Sequence, residues 1–459
     1  MKVVVVGGGF AGLAAAIALQ ERRHEVVLLE RRGVLGGRAT SSRDAVTGED
    51  VDNGTHLMIG AYRSTLELAR RAGALDLMLE QQDLRLDWIS DSGPVRLDCP
   101  PLVAPLHLLV GLLGLRVPLP VKLQAIRLGL SVALGARPEG LTLAEYFRRC
   151  GQGAQARRLL WDPLALAILN EPPERASAML FHRVYQEAFL RDRRASRLVF
   201  LRCGWGAFAE RLARYFEARG GVVRRGTRVE CLRLEQGRVT GVRLAERPRD
   251  RQSVAAGVPS RVAYMEADTV ISAVPPHALA ALLPADWLSR RPFDDLGRFR
   301  GSPIVSVELW LDRLVVDRIM LGLRDSELEW VFDKGRLYGR LGAPQHLAFI
   351  VSAAYRSAGK SNAELVAAAE AVLRRCFRAM AGAAVTRSLV MREPNATFAS
   401  TPELETLRPG PETPLAGLLL AGDWTATGLP ATIEGAVRSG ERAAQRISSP
   451  LVPERPTAA

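Results

Sequence analysis

Lys2-Val3-Val4-Val5-Val6-Gly7-Gly8-Gly9-Phe10-Ala11-Gly12 is a β-branched run that breaks into glycines. The valines are too few for a helix and suit a strand buried on both faces. Gly7 permits a tight turn, Gly9 lets backbone N–H groups approach a diphosphate, and Gly12 lets the next helix lie close to the strand. That helix is rich in alanine (Ala11, Ala14, Ala15, Ala16, Ala18). Its N-terminus, with Phe10 and Ala11 in the first turn, favours an anion. Val26-Val27-Leu28-Leu29 reads as the second strand. Glu30, eighteen positions after Gly12 and followed by Arg31, stands where a carboxylate accepts from ribose hydroxyls.

The far end of the chain supplies the partner signal. Leu418-Leu419-Leu420-Ala421 reads as another buried strand and ends in Gly422-Asp423. A distant Gly-Asp paired with the N-terminal glycines points to FAD rather than to a nicotinamide cofactor. Asp423 lies at the carboxyl end of its strand, where such sheets bind ligands, and can meet a ribityl hydroxyl or, through water, a phosphate. Pro430-Ala431-Thr432 opens the last helix, with Ile433 next. Its N-terminus would face the flavin N1–C2=O edge and stabilise negative charge there. Glu434 in that first turn also fits simple dipole matching. Between the two ends, Gly36-Gly37 permits close backbone approach. Arg38 can offer its guanidinium to a phosphate or the flavin edge, or lie in a surface loop.

The 459 residues, 48% of them hydrophobic, suffice for a large core and two intertwined domains. The expected fold is α/β: a Rossmann-type FAD-binding domain with an interleaved α+β substrate domain. Residues 1–90, 201–276 and 406–447 are assigned to the first, residues 91–200 and 277–405 to the second. Residues 448–459 form a Pro- and Ala-rich tail expected to fray. Strands are read at 222–223, 229–232, 239–244 and 269–274, then at 304–310 and 346–354. Residues 91–200 read as mostly helical, and 362–380 as an amphipathic helix. A domain divided in this way leaves a cleft between the two, a common place for a substrate.

Five cysteines (Cys99, Cys150, Cys203, Cys231, Cys376) include no C-x-x-C pair. Neither a disulfide framework nor a metal site is indicated, which suits a reducing compartment. The apolar start fits the glycine turn better than a signal peptide. Net charge is +13, from 62 basic residues, four of them lysine, and 49 acidic ones. Either compositional bias toward arginine or attraction to an anionic membrane surface explains this. Basic residues interleaved with aromatics, as nucleic-acid binding would want, are missing. Residues 102–115 carry no charge, are too short to span a bilayer, and precede Arg116, Lys122 and Arg127. They read either as a buried helical hairpin or as an interfacial element that dips into a membrane and admits a lipid. No second Gly-x-Gly-x-x-Gly follows a strand, since Gly204-Trp205-Gly206 lacks the third glycine. A separate NAD(P)H unit is not expected, and the electron donor is unread.

Together, Gly7, Gly9, Gly12 and Glu30, then Leu35-Gly36-Gly37-Arg38-Ala39, then Gly422-Asp423, resemble the flavin-dependent amine oxidase and phytoene desaturase superfamily. Three segments are similar to its squalene-associated branch, the hydroxysqualene dehydroxylases of hopanoid biosynthesis. They are Asp52-Asn53-Gly54-Thr55-His56 with Gly60-Ala61-Tyr62; Pro163-Leu164 through Asn170 to Ser177; and Ala421 to Thr425 leading to Gly428 and Ala436. Thr55 departs from the glutamine expected there. The resemblance implies that Gly54, Thr55 and His56 lie near the flavin ring and that the Val229 backbone meets adenine. It implies a reaction in which hydroxysqualene loses its hydroxyl and reduced flavin supplies a hydride, giving squalene. It also implies a cytoplasmic protein peripheral on the inner face of a bacterial membrane, beside other squalene-pathway enzymes. A departing hydroxyl wants a general acid, and His56 and Asp52 are the candidates. A structural His56 and a turn-capping Asp52 are the plainer readings. A desaturase of squalene or a carotenoid precursor, a polar-amine oxidase and a flavin-dependent scaffold are the alternatives. The segment from Gly428 to Glu434 holds no cysteine for covalent flavin attachment, which speaks against the amine oxidase.

Overall fold

The structure is a computed structural model that describes residues 1–90, 93–135, 137–245 and 263–448. All but the first residue of the tail read at 448–459 lies outside them.

The valine run forms the strand Lys2–Val6, central in a five-stranded parallel sheet. Glu25–Leu29 and then Val222–Arg224 lie on one side of it, Thr269–Ser272 and then Leu418–Leu420 on the other. Val3, Val4 and Val5 are fully buried, as a parallel strand covered on both faces requires. The glycine-loop helix, Phe10–Glu21, packs on this sheet and against the C-terminal helix, Ile433–Gln445. A Cβ on Gly440 would sit 2.1 Å from the Ala11 carbonyl oxygen. Glycine there lets the two helices approach, and so joins the two ends of the chain.

The second unit is a seven-stranded mixed sheet. Its order is Val385–Phe398, Gly301–Leu311, Gln345–Val351, Trp330–Asp333, Met320–Leu323, Arg85–Ser90 and Gly93–Asp98. Arg85–Ser90 lies within residues 1–90, expected in the FAD-binding domain, but it hydrogen-bonds into this sheet instead. One face packs on the helix Asn362–Cys376 through Val307, Leu309, Val331 and Phe349. The other face presents Ile304, Trp330, Phe332, Ala348 and Ile350 to half-buried Leu57, Ile59, Leu108 and Phe189.

A helical subdomain fills 106–190. The helices Leu106–Gly114 and Leu119–Leu134 form the hairpin expected from the uncharged stretch. Val121, Ala125, Leu128 and Val132 are buried on one side. Leu106, Val110, Leu113, Leu119, Leu123, Leu130 and Leu134 are exposed, Leu134 to 84%. Those spacings put the exposed leucines on one face of each helix. Among the described residues no helix is long and apolar enough to cross a membrane.

Candidate active site

Three glycine-bearing turns meet at the carboxyl end of the parallel sheet. Gly7 has φ +112°, and a Cβ there would strike the Ala273 carbonyl at 2.8 Å. A Cβ on Gly12 would lie 1.9 Å from the Gly7 oxygen, so helix and turn touch. Gly36, with φ +99°, donates its N–H to the Gly8 carbonyl at 2.9 Å, tying the second loop to the first. Gly9 differs from these. Its φ is −76°, and a Cβ there would meet nothing nearer than the Gly37 Cα at 3.8 Å. Nothing in the chain itself requires a glycine at that position. An open cradle at the N-terminus of a twelve-residue helix fits a diphosphate.

Glu30 is buried and accepts from the Gly8 N–H at 2.7 Å and the Arg32 N–H at 2.8 Å. Each oxygen keeps a lone pair for a ribose hydroxyl. Arg31 is exposed beside it. The Thr227 N–H donates to the Glu30 carbonyl, which brings the strand Val229–Glu235 alongside. Val229 is buried in the same apolar cluster as Val27 and Leu29.

Arg38 lies in a loop with its side chain 38% exposed, but it is not aimed at open space. Its guanidinium pairs with Asp423 at 2.5 Å and donates to the Ala396 carbonyl at 3.3 Å. The pair closes the N-terminal loops against the C-terminal Gly-Asp, and one Asp423 oxygen remains for a ligand. Gly422 has φ +137° and donates to Ser439 Oγ at 2.7 Å. Thr432 caps the last helix by accepting from the Gly435 N–H, with Ala431 just before it and Ile433 as first helical residue. Glu434 is committed elsewhere. It accepts from the Ser64 and Thr65 N–H groups at the start of the helix Arg63–Arg71, and from Arg438.

Asp52 is the centre of a buried network. Oδ2 accepts from Lys334 Nζ at 2.5 Å and Tyr338 OH at 3.0 Å; Oδ1 accepts from Ser41 Oγ at 2.6 Å and the Trp205 N–H at 3.0 Å. Burial alone would raise its pKa, but the Lys334 ammonium and these donors hold the carboxyl below its usual range. An ionised carboxylate with four partners has no proton to give, so Asp52 is corrected from acid candidate to anchoring group. Burial opposes charge on Lys334 too, yet Asp52 keeps it protonated. The Gly204-Trp205-Gly206 segment gains its meaning here. It starts the helix Trp205–Glu217, whose first N–H groups are capped by Asp52 and Ser41.

His56 Nδ1 donates to the Gly54 carbonyl at 2.6 Å, so that nitrogen carries the proton. Its ring meets the Trp205 edge at 5.5 Å, and Trp205 in turn meets Phe10 at 5.7 Å. Burial lowers the His56 pKa, while the Asp52 charge opposes the fall. Gly54 lies against His56. Thr55 Oγ1 is buried without a partner among the described residues, an orphaned polar atom where the flavin ring is expected.

Sequence reasoning missed Arg408. Its side chain is fully buried and donates to the carbonyls of Asp423, Thr425 and Leu429 and to Thr427 Oγ1. It holds the loop between Gly422-Asp423 and the last helix in shape. No local pattern flags it.

The family described as flavin containing amine oxidoreductase matches residues 10–448. The chain is 31% identical to hydroxysqualene dehydroxylase of Sinorhizobium fredii, over 96% of this chain and 97% of that protein. It is 27% identical to 15-cis-phytoene desaturase of Synechococcus elongatus, over 97% and 96%. An oxidoreductase from Methanosarcina mazei has the same fold, with a TM-score of 0.73 at 18% identity, covering 97% of this chain and all of that one.

Proposed function

We propose, from the premise that this chain belongs to the flavin containing amine oxidoreductase family and is an FAD-dependent oxidoreductase, that it converts hydroxysqualene to squalene in triterpene synthesis. The full-length 31% identity to a hydroxysqualene dehydroxylase carries this reading. The exposed leucines of the helical hairpin support it, because such a surface suits a membrane-borne isoprenoid better than a polar amine. A desaturation of a related isoprenoid is the second reading, favoured by the 27% identity to a phytoene desaturase.

Reduced FAD, when bound, supplies the hydride equivalent. The chain's own residues do the rest. Gly9 and Gly37 leave room for the diphosphate, Glu30 receives the ribose, and Asp423 and the helix capped by Thr432 receive the ribityl chain and ring. Removing the hydroxyl breaks one C–O bond, forms one C–H bond, and consumes one proton as water leaves. His56 brings that proton at Nε2, since Nδ1 is occupied by Gly54. Its depressed pKa makes the imidazolium a stronger acid, and Asp52 opposes complete loss of that form. Asp52 acts by position and charge, not by giving a proton. The exposed leucine face of the hairpin rests in a membrane, from which the substrate enters. Offering the FAD-loaded protein hydroxysqualene, squalene and simple amines separately tests the reading. Turnover of an amine with peroxide release, and of neither isoprenoid, would overturn it.

A further inference from the structure

At the end of the hairpin the surface changes character. A groove of about 230 Å³ is lined by Arg137, His182, Arg183, Gln186, Glu187 and Arg191. A second, of about 130 Å³, adjoins it and shares Glu187 and Arg191, adding Arg63 and Arg438. Five guanidinium groups thus face one carboxylate, and Arg438 already pairs with that Glu187 at 3.3 Å. Arg63, Arg137, Arg183 and Arg191 have no carboxylate partner among the described residues. The charges repel one another: burial lowers the His182 pKa, and Arg137 and Arg183 lower it further. The groove is also joined to the apolar hairpin. Gln186, in its wall, donates to the Val132 carbonyl at 3.1 Å, and Arg137 follows the helix that exposes Leu130 and Leu134.

We propose that this groove binds the phosphate of an anionic phospholipid headgroup and so sets the depth and orientation of the hairpin on the membrane. Guanidinium forks match a phosphate's oxygens two at a time, and an unpaired arginine cluster lacks only the anion. The exposed leucines place the groove at headgroup level when the hairpin is in the acyl region. The inference rests on the membrane contact proposed above, and the test separates the two.

Full-length, FAD-loaded protein is sedimented with vesicles of phosphatidylcholine alone and of phosphatidylcholine mixed with phosphatidylglycerol. The double variant Arg137→Gln/Arg191→Gln should keep its binding to phosphatidylcholine and lose about 25-fold of its binding to the mixed vesicles, about fivefold for each arginine. Arg214→Gln/Arg378→Gln, exposed arginines outside the groove, should lose less than about twofold. Flavin absorbance and melting temperature confirm that each variant is folded. Equal losses in both double variants would make the effect one of net charge and overturn the groove. Binding that ignores phosphatidylglycerol would overturn it too, while leaving the hairpin's contact standing. No binding to either vesicle would overturn the membrane contact itself. Saturable binding of inorganic diphosphate in solution, with vesicle binding unchanged in the groove variant, would overturn the headgroup assignment.

Discussion

Replacing Lys334 by methionine removes the cation from Asp52 with little change in volume. Each side chain is 2% exposed, and Nζ lies 2.5 Å from Oδ2, so water cannot take up the charge left behind. Removing one partner of such a pair costs about 3–5 kcal/mol. Asp52 keeps Tyr338, Ser41 and the Trp205 N–H, which places the expected cost near the lower bound, about 3 kcal/mol. Unfolding entropy of about 2.1 cal/mol/K per residue gives about 1 kcal/mol/K for 459 residues. The melting temperature at neutral pH should therefore fall by about 3 °C. The pH dependence fixes the cause. In the intact pair the folded pKa of Asp52 is depressed, so its stabilisation is present above the unfolded value and is lost only as pH falls through the depressed folded value. In the variant, burial acts without the cation and raises the folded pKa above the unfolded one. The carboxyl then takes up a proton on mild acidification and the penalty fades. The deficit, read by scanning fluorimetry, should be largest near about pH 8 and shrink toward about pH 5. A deficit that is constant over that range, or below about 1 °C, would refute the ion-pair account of this network.

Gly9→Val should fold like the wild-type apoprotein, because its backbone is extended and its Cβ meets only the Gly37 Cα at 3.8 Å. It should be colourless, whereas Gly12→Val, with a Cβ 1.9 Å from the Gly7 oxygen, should not accumulate as folded protein; a yellow Gly9→Val protein would remove the diphosphate assignment. Arg408→Met should cost about 3 kcal/mol and weaken FAD binding at least about tenfold, since four buried oxygens lose their donor together; unchanged flavin affinity in a fluorescence titration would sink its loop-shaping role. His56→Gln should lower kcat about 100-fold. In the wild type, kcat should decline as pH rises through a value below 6.5, because the acid form is needed and burial depresses its pKa; a variant that keeps this limb would assign the proton to another group.

The parts of the site that were legible in the sequence are those where the backbone itself is constrained. Gly7, Gly12 and Gly36 are glycine because a Cβ would strike a carbonyl oxygen. Such requirements show in a few consecutive letters, as does a valine run buried on both faces. The Asp52–Lys334 pair spans 282 positions, and nothing near either residue announces the other. Arg408 is equally silent, one arginine among many, and only the fold reveals the carbonyls it gathers. Gly204-Trp205-Gly206 was weighed as a failed nucleotide fingerprint, when its glycines serve close packing on Ser41. Residues 85–90 fall in the segment assigned to the FAD-binding domain but pair in the other sheet, because a strand's sequence gives its periodicity and not its partner.

The direction of the redox step separates a dehydroxylase from a desaturase. FAD-loaded protein, reduced chemically and kept from oxygen, is mixed with hydroxysqualene in single turnover, and the lipids are resolved by mass. One squalene should form and one flavin should be reoxidised for each active site. Hydroxysqualene left unreacted there, with squalene instead consumed by the oxidised protein as its flavin is reduced, would contradict the dehydroxylase reading.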